Sequence, residues 1–271
     1  MKDSRWRYIE DDGSSASFGP AADEYIARKL CTSSYSYIIR LYTYRGPSVI
    51  VGRNQDIESE VNLACCTKLG IDINRRPTGG GAIVMGEGQL GIAIAGPVND
   101  QSPLLASKTV FGPFTKGIIV ALGLLGIKSE FRPKNDIHVK GRKIAGLASC
   151  TFDGHPAGLY HASILADMDT DLMLRLLKKP GRKDGSITTV SSELGRYVST
   201  HELRECVKRG FEKALNAELI PAPLNKEELA EIRELEERKY KSRDWVYHGK
   251  EHSTQYSHEQ LEIATGLRPS Q

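Results

Sequence analysis

Three consecutive glycines, Gly79, Gly80 and Gly81, follow two arginines, Arg75 and Arg76, between two segments that are predicted to be strands. Backbone N–H groups of a glycine-rich loop can cradle a phosphate oxygen, and the planar guanidinium of an arginine fits the same anion. The run therefore indicates a nucleotide-phosphate site, although a glycine-kinked sheet corner beside two surface arginines is the alternative. It matches neither a Walker loop nor a dinucleotide-binding G-x-G-x-x-G turn.

A second group of polar residues lies further along the chain, where Asn135 and Asp136 precede Lys143 and the apolar run that ends at Gly146. A lysine at the start of a buried strand needs an anionic partner, or must extend its ammonium group to solvent. A ligand carboxylate or phosphate could be that partner, whereas an Asn-Asp pair alone is typical of a turn. His161 lies on another apolar strand, where a hydrogen-bonded core histidine is the commoner situation.

Composition limits the classes of protein to consider. The 271 residues are 39% hydrophobic and 26% charged, which is typical of a globular chain. With 37 basic and 34 acidic residues the net charge is +3, which argues against a nucleic-acid surface. Five cysteines without a C-x-x-C pair predict reduced thiols and a cytoplasmic location. No signal peptide is evident, and the longest apolar run is too short to span a membrane.

Hydrophobic periodicity and turn signals predict the elements that position these residues. The predicted strands are 35–44, 48–51, 71–74, 81–85, 89–95, 137–139, 143–152 and 158–165. Strands 81–85 and 89–95 are predicted to form a hairpin with a glycine-rich turn, and strands 137–139 and 143–152 a hairpin closed at Lys140 and Gly141. Helices are predicted to begin at Pro20, Ser199 and Asn225. Further helices are predicted near Asp56 to Leu69, over the apolar stripe from Phe111 to Leu125, and around Leu172 to Leu177. This order is not a regular strand–helix alternation. It predicts an α+β fold with a mixed, largely antiparallel sheet flanked by helices.

Taken together and in this order, the motifs resemble the lipoate–protein ligase and octanoyltransferase family. The segments that carry the resemblance are 47–55, 75–82, 135–136, 141–148 and 161–165. The resemblance implies the fold of biotin and lipoate ligases, which is related to class II synthetase cores. It implies a catalytic domain over residues 1–248 and a polar C-terminal tail over 249–271. The usual accessory C-terminal domain is not expected.

The same resemblance implies an activity and a set of site residues. Ligases of this family use ATP and Mg²⁺ to convert lipoic acid to lipoyl-AMP and transfer the acyl group to a lysine. The acceptor is a lipoyl domain of a 2-oxoacid dehydrogenase or the glycine-cleavage H protein. The implied catalytic residue is Lys143. The implied acyl pocket consists of Arg75, Gly80, Lys143, Gly146 and His161. The implied adenylate site consists of Arg76, Gly79, Gly80, Gly81, Ala82, Ile83, Asn135 and Asp136, and Asp136 is the implied Mg²⁺ ligand.

The chain departs from the family pattern in two places. Val84, Met85 and Gly86 replace an aromatic-His-Asp run, and Gln89 replaces an asparagine. The chain also ends soon after Trp245, as in ligases whose small domain is a separate subunit or in transferases, which need no such domain.

Related transferases hold the acyl group on a cysteine, and no cysteine lies at the positions expected from the resemblance. An ATP-dependent ligase is therefore the main expectation. The alternative is an octanoyl or lipoyl transferase that works between carrier proteins without ATP, and a non-catalytic binding relative is a third hypothesis.

Overall fold

The computed structural model of the protein describes residues 4–98, 112–178 and 185–250. Its strands are β1 (Ser4–Ser14), β2 (Tyr37–Tyr44), β3 (Ser48–Val51), β4 (Asp72–Arg75), β5 (Ile83–Met85), β6 (Gln89–Pro97), β7 (Glu130–Arg132), β8 (Asp136–Val139), β9 (Arg142–Thr151), β10 (Ala157–Leu165) and β11 (Ala217–Pro221). Its α-helices are α1 (Phe18–Lys29), α2 (Ile57–Glu60), α3 (Leu63–Leu69), α4 (Gly112–Leu124), α5 (Thr170–Leu176), α6 (Val190–Leu194), α7 (Thr200–Leu215), α8 (Lys226–Leu235) and α9 (Arg243–His248).

Two sheets organise these elements. The large sheet has the order β11–β1–β2–β6–β10–β9–β8–β7, and the small sheet has the order β4–β3–β5. In the large sheet β1 is parallel to both neighbours, and all strand pairs from β2 to β7 are antiparallel. Helices α4 and α7 cover one face of this sheet, whereas α1, α8 and the small sheet share the hydrophobic core on the other. The predicted α+β fold with a largely antiparallel sheet is confirmed.

Local signals in the sequence account for several of these elements. The hairpin of β8 and β9 turns at Lys140 and Gly141, which have φ angles of +50° and +80°. Helix α7 begins after Ser199, whose side chain accepts a hydrogen bond from a first-turn amide. Helix α8 begins with a reciprocal capping box between Asn225 and Glu228. These predicted starts and turns are confirmed.

Two sequence-based predictions about elements are wrong. The predicted strands 81–85 and 89–95 do not form a hairpin, because β5 pairs with β3 of the small sheet and β6 pairs with β2 and β10 of the large sheet. The helix predicted from Asp56 to Leu69 is two helices, because Asn62 caps a new helix by accepting from the Cys65 amide. Phe111 and the tail beyond residue 250 lie outside the described residues.

Candidate functional site

A cavity of about 220 Å³ is lined by residues of both sheets. Lys143 and Gly146 reach it from β9 and His161 from β10, while Gly80 and Ala82 reach it from the loop between β4 and β5. The fold therefore brings together three motifs that lie far apart in the sequence. Gly81, Ile83 and Asn135 line the same cavity.

Arg76 organises the loop between β4 and β5. Its side chain is buried, and its Nη2 donates to the carbonyl oxygens of Gly79 (2.7 Å) and Gly81 (2.9 Å). Its Nη1 donates to the Ile50 carbonyl (3.0 Å), and its Nε donates to the Thr78 hydroxyl (3.1 Å). Burial lowers the pKa of Arg76 to about 10, so the side chain is charged at neutral pH. Three of the four side-chain hydrogen bonds of Arg76 therefore hold the loop, and the fourth joins it to β3.

The shape of this loop exposes backbone donors. In a trans peptide the C=O and the following N–H point in opposite directions. Because the Gly79 and Gly81 carbonyls face Arg76, the N–H groups of Gly80 and Ala82 face away from it. Both of these residues line the cavity, so the loop can offer amide donors to an anionic ligand there. Gly79 itself is not among the lining residues.

Lys143 lies at the other side of the cavity and pairs with a carboxylate. Its Nζ is 2.5 Å from Oδ1 of Asp136. The Lys143 amide donates to the Ser186 carbonyl (2.9 Å), which fixes the start of β9. A Cβ atom on Gly146 would lie 2.7 Å from Nζ of Lys143, so glycine at this position leaves room for the ammonium group. Asp136 and the close backbone at Gly146 therefore hold the ammonium group at the cavity.

Asn135 and Asp136 both have partners within the protein. The side-chain Nδ2 of Asn135 donates to the Leu147 carbonyl oxygen (2.6 Å), so this nitrogen holds the start of β8 against β9. The described residues contain no group of three or more histidine, cysteine, aspartate or glutamate side chains that could hold a metal ion. A Mg²⁺ ion at Asp136 would need most of its ligands from phosphates and water, which is how Mg²⁺ is usually bound beside nucleotides. The role of Asp136 as a Mg²⁺ ligand stays a prediction.

His161 joins a buried polar network that extends beneath the cavity. Its Nε2 is 2.9 Å from Oδ2 of Asp23, and its Nδ1 is 3.0 Å from the Thr78 hydroxyl. Asp23 also accepts from Arg40 at 2.6 Å, and Arg40 pairs with Asp11 as well. Burial alone would raise the pKa of Asp23, but Arg40 and His161 together hold it below its ordinary value. Asp23 is therefore an ionised carboxylate in the cavity wall.

Arg75 does not line the cavity, so its predicted place in the acyl pocket does not fit the structure. Its fully buried guanidinium donates to the carbonyl oxygens of Trp245, Val246 and Tyr247 at the end of α9. It also donates to three carbonyls of the loop after β3, and the Trp245 indole donates back to the Arg75 carbonyl (2.9 Å). A cation at a helix C-terminus is favourable because the helix dipole is negative there. Arg75 joins α9 to the small sheet.

We expect Arg75→Met to lower the free energy of unfolding by at least about 3 kcal/mol, because six buried or half-buried carbonyls lose their donor. Urea denaturation measures this change, and limited proteolysis should show earlier cleavage near α9. Arg238→Met, which changes an exposed arginine, serves as a control. Unchanged stability in Arg75→Met would contradict the assignment of a structural role.

The cavity has no cysteine in its wall. All five cysteines lie in the described parts of the chain, and Cys31, Cys65, Cys66 and Cys206 belong to α3, α7 or the turn after α1. Cys150 is on β9 but does not line the cavity, and burial raises its pKa to about 12. A thiolate is the nucleophilic form of cysteine, so none of these side chains is arranged as an acyl-carrying nucleophile.

The departures from the family pattern give the cavity an apolar wall. Val84 and Met85 are buried in β5 and line the cavity where the family has an aromatic-His-Asp run. Gln89 also lines it and is 3% exposed, with an Oε1 atom that accepts no hydrogen bond from the described residues. Met85 therefore supplies apolar contact where a histidine would supply a proton donor.

Sequence reasoning missed Asp23, Arg40 and Thr78 as site residues. Two of them had a visible signal, because Arg40 interrupts an apolar strand and Asp23 lies on the helix face that also carries Ala22 and Ile26. A charge at a buried position needs a partner. The sequence does not show that Arg40 and Asp23 are partners of one another.

Residues 15–212 of the chain match the lipoyl protein ligase A/B catalytic domain. An octanoyltransferase LipM of Carboxydothermus hydrogenoformans is 28% identical over 272 residues, which is 89% of this chain and 98% of the relative. A solved lipoate-protein ligase A bound with ATP superposes with a TM-score of 0.77 and 28% identity, over 90% of this chain and 98% of the other.

A bi-partite lipoate protein ligase of Thermoplasma acidophilum, studied with its E2 lipoyl domain, gives a TM-score of 0.77 at 26% identity. The alignment covers 91% of this chain and 97% of the ligase. Within the described ranges, every helix is too short or too polar to cross a bilayer. The match covers most of the chain, and this chain belongs to the lipoyl protein ligase A/B catalytic-domain family.

Proposed function

We propose that this enzyme transfers an octanoyl or lipoyl group to the ε-amine of a lysine on a lipoyl carrier domain. The observation that carries the proposal is the cavity itself, which combines an apolar wall at Val84 and Met85 with the Lys143 ammonium and the Gly80–Ala82 backbone. An acyl chain fits the first part and a carboxyl or phosphate head the second. The catalytic domain over residues 1–248 is part of the same proposal.

The proposed chemistry assigns separate tasks to the two sides of the cavity. The acceptor amine attacks the acyl carbonyl, a C–N bond forms, and the bond to the leaving group breaks. The leaving group takes up the proton that the amine releases. Lys143 and the N–H groups of Gly80 and Ala82 would stabilise the negative charge that develops on the carbonyl oxygen. His161 and Gly146 would shape the acyl pocket.

The names of the relatives support transfer of an octanoyl group, and we propose a carrier-bound thioester as its donor. The octanoyltransferases LipM match this chain over nearly their whole length. A carrier-bound octanoyl thioester needs no ATP, because the thioester is already activated. Since no cysteine lines the cavity, we propose direct transfer from the donor thioester to the lysine, without an acyl-cysteine intermediate.

A second candidate function is the ATP-dependent ligation of lipoate. The same lack of a cavity cysteine favours it, because a ligase stores the acyl group as an adenylate and requires no thiol. The similarity to a lipoate-protein ligase A bound with ATP supports this route as well. In this case Lys143 and the loop amides would hold the α-phosphate, and AMP would be the leaving group. A separate accessory subunit would then be a candidate partner, as the name bi-partite implies for the Thermoplasma protein.

The donor requirement separates the two routes. Purified protein is incubated with a lipoyl domain and either octanoyl-carrier thioester alone or lipoate with ATP and Mg²⁺, and acylation is read as a mass increase of the domain. We expect transfer from the thioester without ATP. Acylation only with ATP would assign the ligase route, and no acylation from either donor would contradict the proposal.

Cys150→Ala tests the absence of a covalent cysteine intermediate. We expect unchanged acyl transfer in this variant, because Cys150 lies outside the cavity and burial raises its pKa to about 12. Intact-mass measurement after mixing with donor should also show no acylated enzyme. The exposed Cys31→Ala is the matched control. Loss of activity in Cys150→Ala alone would restore a cysteine-dependent route.

A further inference from the structure

The Thr78 hydroxyl joins Arg76 in the glycine loop to His161 on β10, and the His161 ring lies against Asp23 in α1. Arg76 Nε donates to the Thr78 hydroxyl oxygen at 3.1 Å. That hydroxyl is 3.0 Å from His161 Nδ1, and His161 Nε2 is 2.9 Å from Asp23 Oδ2. Thr78 is fully buried and His161 is 9% exposed, so solvent does not compete for these bonds.

The Thr78 hydroxyl is the shared partner of the two side chains. A guanidinium N–H only donates, so the Thr78 hydroxyl oxygen accepts from Arg76 Nε. The same hydroxyl group is hydrogen-bonded to His161 Nδ1. In the described part of the chain Arg76 has no carboxylate partner, so the Thr78 hydroxyl is the side-chain group that fixes its Nε.

We propose that Thr78 is a positioning residue that locks the glycine loop in its active shape by joining Arg76 to His161. Thr78 touches no cavity ligand, because it does not line the cavity. It acts through Arg76, which holds the Gly79 and Gly81 carbonyls and so keeps the N–H groups of Gly80 and Ala82 facing away from it. The inference deepens the proposed function and rests on it for the expected effect on acyl transfer.

The same contact joins the glycine loop to a second part of the cavity wall. Asp23 and His161 line the cavity, and Thr78 belongs to the loop that presents the backbone donors. Loss of the Thr78 hydroxyl leaves Arg76 Nε and His161 Nδ1 without their shared partner. Arg76 keeps its bonds to the Ile50, Gly79 and Gly81 carbonyls, so the expected result is a shift of the loop rather than its unfolding.

Thr78→Val keeps the volume of the side chain and removes the hydroxyl. We expect kcat for carrier acylation to fall about 10²-fold, because displacement of positioned groups by about 1 Å costs this much. KM for the donor should change far less, since the apolar wall is retained. Thr78→Ser restores the hydroxyl and should recover most of the rate. Thr43→Val, which removes a buried hydroxyl bonded to Asp12, controls for the general cost of such a change.

A measurement that needs no substrate tests the connection separately from the proposed function. Long-range ¹H–¹⁵N spectra of the histidine rings report the tautomer, and His161→Gln assigns the signal. We expect the His161 ring signals to change in Thr78→Val but not in Thr43→Val. Unchanged His161 signals in Thr78→Val would overturn the proposal, as would wild-type kcat in that variant. If the wild type transfers no acyl group, the proposed function fails and the spectra still decide the connection.

Discussion

Replacing Lys143 with alanine is expected to lower kcat/KM for carrier acylation by about 10³-fold, because the cavity loses the cation that would stabilise the developing oxyanion. Asp136, which is 2.5 Å from Nζ, would also be left without this partner and would repel an anionic donor. The measurement is the rate of mass increase of a lipoyl domain at donor concentrations well below KM. Folding should be retained, since the Lys143 side chain is partly exposed and its backbone bonds remain.

Lys140→Asn is a matched control for Lys143→Ala in the same hairpin. Lys140 has a φ of +50°, which asparagine tolerates, and its side chain is 76% exposed. We expect unchanged activity in this variant. If Lys143→Ala were as active as Lys140→Asn, the assignment of Lys143 as the catalytic residue would be wrong. If the wild type is inactive too, the third hypothesis, a non-catalytic acyl-binding protein, would be favoured.

Gly52→Ala is expected to have the largest structural effect of any single methyl group at the site. A Cβ atom there would lie 1.8 Å from the Gly80 carbonyl oxygen. Neither a Cβ atom nor a carbonyl oxygen can move away by a side-chain rotation. The glycine loop must therefore move, and Gly80 already has a φ of +92° that other residues rarely adopt. We expect the free energy of unfolding to fall by about 3 kcal/mol and acyl binding to be lost. Urea denaturation and calorimetric titration with octanoate measure the two effects.

Gly46→Ala provides the comparison for Gly52→Ala. Gly46 lies in the turn between β2 and β3, and a Cβ atom there meets nothing within 4 Å. The free energy of unfolding should change by less than about 0.5 kcal/mol, and octanoate binding should remain. Equal behaviour of the two variants would show that the loop adapts to the added methyl group, and the tight contact between Gly52 and Gly80 would then not control the site.

The two arginines illustrate the limit of prediction from the sequence. Their position before three glycines predicts anion binding for both. In the structure, Arg75 donates to carbonyls of α9 that lie 170 to 172 residues away along the chain, and Arg76 donates to the loop itself. A side chain with five donors can satisfy many partners. Which partners it reaches depends on packing between distant segments, and periodicity and spacing contain no information about that packing.

The strands around the glycine loop show the same division. Composition and turn residues correctly predict that 81–85 and 89–95 are extended. They favour a hairpin, because neighbouring strands usually pair, but β5 and β6 separate into two sheets. This separation leaves a space between the sheets, and the cavity occupies it. Strand propensity is local, whereas the choice of strand partner is decided by the core that each face must cover.

The sequence by itself determined the α+β class, the hairpin that carries Lys143, the glycine run and the resemblance to the family. These features are encoded in local residue types and in motif spacing. The tertiary structure alone decided that Arg75 is structural, that Arg76 shapes the loop, and that Asp23 and Thr78 are joined through His161. The physical reason is that a buried charge or hydroxyl is defined by its hydrogen-bond partner, and these partners come from separate elements that meet only in the folded chain.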